Sequence, residues 1–532
     1  MTQNYNQQTA KGSITRASNI LHLAAPRGLS EGDNIIIETG GETGKGIRGT
    51  NGVGGGWLSL AFTTVLTMNS NLTKADGTYA WVKENGNAYR FDKSNLKWNA
   101  YTQWGYYTEK QLPYALLADV VFVSSDGLTI TLSKKAKTSS KLSNVYTDHA
   151  LYITNLIQNN SSTAIPAGKY AVSKAIVFSR AVTLSVTGAG KDITTLFAPN
   201  GCESISIQFA GGTNSPSISD LTVIGTGRKN GFAWLREDNT SVGYLKPPTT
   251  GYFDNPFLSS KGINMSAAGG RVTNVRCIDC LGYAIELDGR GVVAENCDVE
   301  LTEGEQRYVG WQLHIQGQTD IPNKFINCTF KSPTVVHAME GFRTQQPQFI
   351  NCHCINGVAS FNGASNGLSK NCVMEFTANS AAAWFSHGLS PIWEYNSFMG
   401  QTEAHTFDNL VMNQVGFDDA GHLLNGLYGR WNTPAVKVIG GSFTTPDMTD
   451  DNPCIGVYVQ ADGALIDGFI VNGKLSPYFH TNRSMNGASI SMDASGLDAG
   501  IVPSGIVRNC VADIIRASDG VTLENNTCVS CP

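Results

Sequence analysis

Charge is scarce in this chain of 532 residues. Only 15% of them are Asp, Glu, Lys or Arg, against roughly 25% in an ordinary globular protein, and the net charge is −5. No basic stripe offers itself to a phosphate backbone, which argues against nucleic-acid binding. Long apolar runs are also missing. The nearest, Tyr114 to Val123, is broken by Asp119 and falls short of the ~20 residues of a membrane span, so no membrane insertion is expected. Met1 to Lys11 is polar and shows no apolar h-region, so no signal peptide is expected. The twelve cysteines are too sparse for a disulfide scaffold and read as buried thiols in a reducing compartment. Cys277 and Cys280 have the spacing of half a zinc site, but no matching pair with histidines follows. Positions i and i+3 of a strand also face opposite sides. No metal or cofactor is expected. A phosphate-cradling loop is lacking too. The glycine-dense stretch Gly40 to Gly56 puts glycine where Gly-Lys-Ser/Thr is required, and it reads as a flexible loop.

What the chain does have is glycine, 57 residues of it, with recurrent Asn, Ser and Thr. Few charges and many turn formers suit a β-rich fold. Three zones are expected: a loose segment over residues 1–30, a small β-rich domain over 31–145, and a long repetitive domain over 146–532. In the second zone, Thr78 to Lys83, Ala88 to Asp92 and Leu128 to Leu132 alternate like short strands, with Asn85-Gly86-Asn87 as a hairpin turn. Its tryptophans, Trp57, Trp81, Trp98 and Trp104, read as core more readily than as sugar platforms. At the start of the third zone a short helix is expected, with Asp148 as N-cap and Leu151, Leu156 and Ile157 near one face.

The third zone repeats. Units starting at Gly282, Gly310, Val335, Gly357 and Ala381 lie roughly 22 to 28 residues apart, the period of a solenoid. Each opens with a short strand ending in glycine: Ala284 to Gly289, Gln312 to Gly317, Val336 to Gly341, Val358 to Gly363 and Ala383 to Gly388. In the first four an Asn-Cys pair follows (Asn296-Cys297, Asn327-Cys328, Asn351-Cys352, Asn371-Cys372), and in the fifth Tyr395-Asn396 stands in its place. The leucine-rich pattern is absent. Strands at this period without long helices indicate a β-solenoid, in which stacked Asn side chains bond from rung to rung and Cys fills the core.

The run of helix, Ala164-Ile-Pro-Ala-Gly-Lys-Tyr and Val182 to Asp192 (strand, then Gly-Ala-Gly-Lys-Asp) resembles the opening of the pectate-lyase-like superfamily. From about residue 148 to 532 the chain resembles bacteriophage tailspike depolymerases of capsule or lipopolysaccharide. That resemblance implies an all-β fold, a right-handed parallel β-helix with a small N-terminal β-rich domain and a helix capping the solenoid. It further implies a homotrimer, attachment to the phage tail, baseplate or another tail fibre through the N-terminal region, and a place in the virion acting at the bacterial surface. The partner is then a bacterial surface polysaccharide. The terminal stretch Asn525 to Pro532 still reads as a rung, and no separate C-terminal trimerisation domain is visible in it.

Counting back from the strand-ending glycines aligns the units. Leu287, Ile315, Met339, Phe361 and Ser386 form a mostly apolar, inward column. Glu286, His314, Ala338, Ser360 and Phe385, and then Asp288, Gln316, Glu340, Asn362 and His387, form two outward columns. On this alignment Glu286, Asp288, His314, Gln316, Glu340 and His387 share one exposed face, with Arg290 and Arg343 just past the turns. Glu286 and Asp288 stand about 7 Å apart along one rung, and Asp288 and Glu340 two rungs, on the order of 9.6 Å, apart. Both gaps fit the roughly 6.5–9.5 Å of an inverting glycosidase. Asp288, Glu340, Glu286 and His314 are therefore the catalytic candidates, and Gln316, Arg343, His387, Arg290, Trp393 and Trp431 the substrate-binding ones. Solvated surface charge is the plain alternative for such a face. Secondary clusters are Glu295, Asp298, Glu300, Glu303 and Glu305; Glu403, His405 and Asp408; and Asp418, Asp419 and His422. Trp384 falls on the inward register. Three functions stay open: a glycoside hydrolase; a polysaccharide lyase with His314 as base and Arg343 neutralising a uronate; and a non-catalytic glycan-binding adhesin.

Overall fold

The computed structural model describes most of residues 10–530. Left out are 1–9, 531–532 and internal stretches, the longest being 49–60, 101–107, 226–232, 236–261, 303–311, 378–390, 397–404, 416–424, 447–455, 474–489 and 493–502. The N-terminal unit is a closed antiparallel barrel of Ala10–Ile14, Ser140–Thr147, Asn34–Ile37, Leu116–Val123, Thr129–Leu132 and Ile20–Leu23, in that order around the ring. Alternation places Leu21, Ile35, Ile37, Val120 and Ile130 inside. Residues 10–23, expected to be loose, are thus two barrel strands. Within the stretch read as a flexible loop, Thr43–Arg48 is a strand, antiparallel to Thr108–Pro113 and to Ala233–Leu235. The expected hairpin is present as Tyr79–Val82 and Asn87–Asp92, extended by Lys97–Ala100. Trp98 is core: it packs on Phe91, and its Nε1 donates to Asn71 O at 3.0 Å. Trp81 lies on a strand whose side chains are not described, and Trp57 and Trp104 lie outside the described residues.

The helix Ala150–Gln158 follows. Its N-cap is His149, one residue later than expected, yet the Asp148 carboxylate still accepts from Ala150 N at 3.0 Å and from Ser173 N at 3.2 Å. The buried face is Ala150, Ile153 and Ile157, which join the solenoid core; Leu151 is exposed and Leu156 half-buried.

Among the described residues from Ser162 to Ser530, every strand but Ala233–Leu235 belongs to a right-handed parallel β-helix. Its strands pair in parallel, in the main each with the strand three further on, giving three stacked sheets. The third carries Ile285–Leu287, Leu313–Gln316, the end of Thr329–Phe342, the end of His353–Asn362, Pro391–Asn396 and Asn425–Arg430.

The bend between the first and second sheets explains the Asn-Cys pairs. Asn296, Asn327, Asn351 and Asn371 each have φ of 52–55°, a left-handed conformation that Asn tolerates better than other side chains. Their amides form a ladder: Asn327 donates to Asn296 (3.3 Å), Asn351 to Asn327 (3.0 Å) and Asn371 to Asn351 (3.1 Å). The next member is Asn409, donating to Asn371 at 3.1 Å and followed by Leu410. Tyr395-Asn396 does not occupy that position; it lies on the third sheet opposite Phe361 and Asn362. The left-handed residue turns the next side chain inward, so Cys297, Cys328, Cys352 and Cys372 are buried, each thiol within 3.4–3.7 Å of the carbonyl two residues back. Cys277 and Cys280 also both turn inward, because Asp279 between them has φ 52° and breaks the strand alternation. Nine of the described cysteines are free and buried, and Cys528 is disulfide-bonded. Among the described residues no helix is long and apolar enough to cross a membrane.

Asn351→Ala removes two ladder hydrogen bonds and forces Ala into the left-handed region. It should destabilise the solenoid by about 1–3 kcal/mol, whereas Asn351→Gly relieves the backbone and loses only the ladder. Thermal unfolding of the pair checks this, and equal melting temperatures for the two variants would refute the backbone part of the account.

Candidate functional site

Backbone register on the third sheet decides which side chains meet. Asn264, Glu286, His314, Glu340 and Ser360 are successive partners in one column. Their chain neighbours Ile285, Leu287, Leu313, Ile315 and Met339 fill the core, so by alternation this column faces out. Glu340 therefore stacks over His314 and Glu286, not over Asp288 and Gln316 as the glycine alignment had it. The reason is local. Gln316 is paired with Phe342, and Phe342 in turn with Asn362, so Gly317, Arg343 and Gly363 are equivalent turn positions, and all three have positive φ (88°, 45° and 63°). In this unit Arg343 takes the left-handed place that glycine takes in its neighbours, and Gly341 pairs with Ile315. Ala338, counted outward, lies at a register shift and turns into the core.

The second surprise is burial. Glu286 and His314 are 0% exposed and Glu340 3%, although an exposed face was expected. The three form one cluster. His314 Nδ1 lies 3.6 Å from Glu286 Oε1, and Nε2 lies 3.1 Å from Glu340 Oε2. These contacts are more electrostatic than straight hydrogen bonds. Glu286 also accepts from Gln316 Nε2 at 2.8 Å and from Asn264 Nδ2. Glu340 accepts from Asn362 Nδ2 at 3.3 Å. Ser266 Oγ donates to Asn264 Oδ1 at 2.8 Å and lies 3.4 Å from Asp288 Oδ2. One polar network thus runs from Asp288 on the half-exposed edge, through Ser266 and Asn264, to the buried triad and on to Asn362. Gly317 makes room for it, since a Cβ there would come 2.9 Å from Asp288 Oδ1.

Burial alone would drive the proton off His314, but the facing carboxylates of Glu286 and Glu340 outweigh it and raise the imidazole above its ordinary value. Tyr283 lies flat on this ring, centroids 3.9 Å apart and planes 5° from parallel. Its own burial, with Glu340 and Glu286 nearby, pushes the phenol pKa up, so it stays neutral. Tyr283 and Asn264 escaped the sequence reading because neither sits in an aligned column there. The cluster can hold a mobile proton between two carboxylates.

The other candidates fare differently. Trp393 is fully buried, packed against Phe349, Phe361 and Phe407; it is core, not a sugar platform. Arg290 is bound by Asp320, Nη2 to Oδ2 at 2.5 Å. Arg343 is exposed, its guanidinium 5.0 Å from the Phe342 ring centre. His387, Trp431 and Trp384 lie outside the described residues, as do Glu303, Glu305, Glu403, Asp418, Asp419 and His422. Asp298 pairs with Lys191 (2.6 Å), Glu300 with Arg276 (2.5 Å) and Asp408 with Lys370 (3.1 Å). His405 is a core residue. Burial pushes it down to about 3, its Nδ1 accepts from Gly367 N at 3.0 Å, and it stacks on Phe361.

Glu340→Gln removes one of the two carboxylates that hold the proton on His314, so the imidazole pKa should fall. A histidine NMR titration reads this directly, and an unchanged value would refute the pairing. The sign for stability follows. Because the folded value is raised, the cluster's contribution is full below about pH 6.5 and is lost as pH rises through the folded value. The variant, with Glu286 still in place, should show a weaker alkaline decline.

No protein-family model matches the chain, and no curated protein matches it. Solved structures do. The catalytic domain of a GH87 α-1,3-glucanase in complex with tetrasaccharides is 12% identical, with TM-score 0.43, over 100% of this chain and 95% of that one. The catalytic unit of the thermostable GH87 α-1,3-glucanase from Streptomyces thermodiastaticus strain HF3-3 is 10% identical, with TM-score 0.41, over 96% and 90%. The tailspike protein gp49 from Pseudomonas phage LKA1 is 12% identical, with TM-score 0.31, over 99% and 64%. The reading of the site rests on its own geometry.

Proposed function

We propose that this protein is a polysaccharide depolymerase that hydrolyses a glycosidic bond at the Asp288 edge of the third sheet. The observation that carries this reading is the buried Glu286–His314–Glu340 cluster joined to the half-exposed carboxylate of Asp288. A solenoid rung needs no buried charge to fold, and buried titratable groups with specific partners mark functional sites. In the proposed mechanism the proton held on His314 passes from Nε2 through the Glu340 carboxylate to the leaving oxygen, and the imidazole regains a proton from solvent at the end of the cycle. Glu286 holds the imidazole from the other side. Asp288 takes a proton from the attacking water and releases it to solvent afterwards. Glu340 and Asp288 are two rungs and one pleat repeat apart, about 12 Å at the backbone. The two carboxyl groups must lean together by a few ångström to reach the roughly 6.5–9.5 Å of an inverting pair, and the roughly 5 Å of a retaining pair is out of reach, so inversion is expected. Gln316 and Arg343 flank the edge and are the proposed sugar contacts.

The lyase reading asks His314 to be a free base. Its two glutamates bias it towards the protonated form, and it is buried, both of which disfavour that role. The resemblance of residues 148 to 532 to tailspike depolymerases supports a virion location, a homotrimer, attachment through the N-terminal barrel, and a bacterial capsule or O-antigen as target.

Mass spectrometry of digests in ¹⁸O-water tests the chemistry. One labelled oxygen per cut is expected, with Asp288→Asn and Glu340→Gln each lowering kcat by about 10²-fold or more while glycan binding is kept. Unsaturated, ultraviolet-absorbing products would make it a lyase, and binding without any cleavage by the unaltered protein an adhesin.

A further inference from the structure

We propose that the site takes an uncharged stretch of glycan, built of neutral hexoses or N-acetylated amino sugars, and discriminates against uronate- or sialate-bearing chains; this rests on the depolymerase reading above. Two independent features point there. The first is charge. Glu286, Glu340 and Asp288 lie within one network, and the cation among them, His314, is flanked by two of the three carboxylates. Arg290 is committed to Asp320, and Arg343 stands in solvent over Phe342, where its pull on an anion is screened. Among the described residues, a sugar carboxylate entering here meets net negative charge in a partly dry setting.

The second feature is hydrogen-bonding polarity. The amide donors at the edge are used inside the cluster: Gln316 Nε2 on Glu286 and Asn362 Nδ2 on Glu340. Glu340 can only accept, which fixes the orientation of the Asn362 amide. Asn362 Oδ1 is then a buried acceptor with no donor. What Asn362 Oδ1 lacks is a donor. A sugar hydroxyl or an acetamido N–H supplies one; a carboxylate substituent is an acceptor only.

The test compares the full-length protein on neutral polysaccharides, on acidic ones, and on the same acidic ones after chemical reduction of their carboxyl groups to alcohols. Neutral and carboxyl-reduced chains should be cut. For any acidic chain that is cut, reduction should raise kcat/KM roughly tenfold at low salt, and added salt should narrow that gap by screening. An acidic chain that is cut while its reduced form resists overturns the inference and leaves the depolymerase reading standing. Binding of glycans with cleavage of none, neutral or acidic, overturns the depolymerase reading and this inference with it.

Discussion

The rung-to-rung parallel hydrogen-bond ladder is the constraint on which everything else here depends. It stacks each residue of a strand over one residue of the next at about 4.8 Å, and a slip of one residue would turn a whole face inside out. Columns of identical or complementary side chains are its direct product. The Asn ladder at the bend, the inward thiols beside it and the outward Glu286–His314–Glu340 column are three outcomes of one register.

That same ladder shows why the fold was legible and the site only in part. Asn-Cys repeats because Asn takes the left-handed bend and the residue after it turns into the core, a place Cys fills in four rungs and Leu410 in the next, so the motif marks backbone geometry directly. Glycine at the strand end is a weaker marker, since Asn, Asp and occasionally other residues reach positive φ. Arg343 does so at 45°, and aligning on Gly341 moved Glu340 by two residues, far enough to hide its contact with His314. Spacing failed in the later units as well: the third-sheet strand after Ser360 is Pro391–Asn396, well beyond the regular period. Burial was illegible for a different reason. Alternation says which way a side chain points and nothing about what lies over it, so Glu286 was misread as exposed; Trp393, taken as a platform, stands on the inward register beside Ala359.

Burying two glutamates and a histidine on the outer side of a sheet runs against the ordinary economy of a solenoid. Each ion loses its water, and removing one partner of such a pair costs about 3–5 kcal/mol through the charge left behind. The arrangement is tolerable because each glutamate accepts from an amide and faces the imidazole charge, and because Tyr283 covers the imidazole with an aromatic face. A core of apolar residues already holds these rungs together. The polar network is therefore an addition to the fold, and its internal consistency from Ser266 to Asn362 argues that it was built as a unit.

Placing the acid–base groups on strands has a further consequence for how such a protein is tuned. Along the stack, separations come in steps of about 4.8 Å, and along a strand in steps of about 7 Å, so the ladder allows only a small set of carboxylate spacings. A mechanism chosen from that set is robust to changes elsewhere, because the backbone register that fixes it is shared by the whole sheet. The choice of sugar is not fixed in this way. It falls to groups at the edge, such as Gln316, Asn362 and Arg343, and to the connections between rungs, whose lengths vary far more than the strands do: the step between equivalent third-sheet positions is short from Glu340 to Ser360 and much longer from Ser360 to Glu394. Rigid chemistry on the strands and variable recognition on the turns is the division of labour that a parallel ladder imposes.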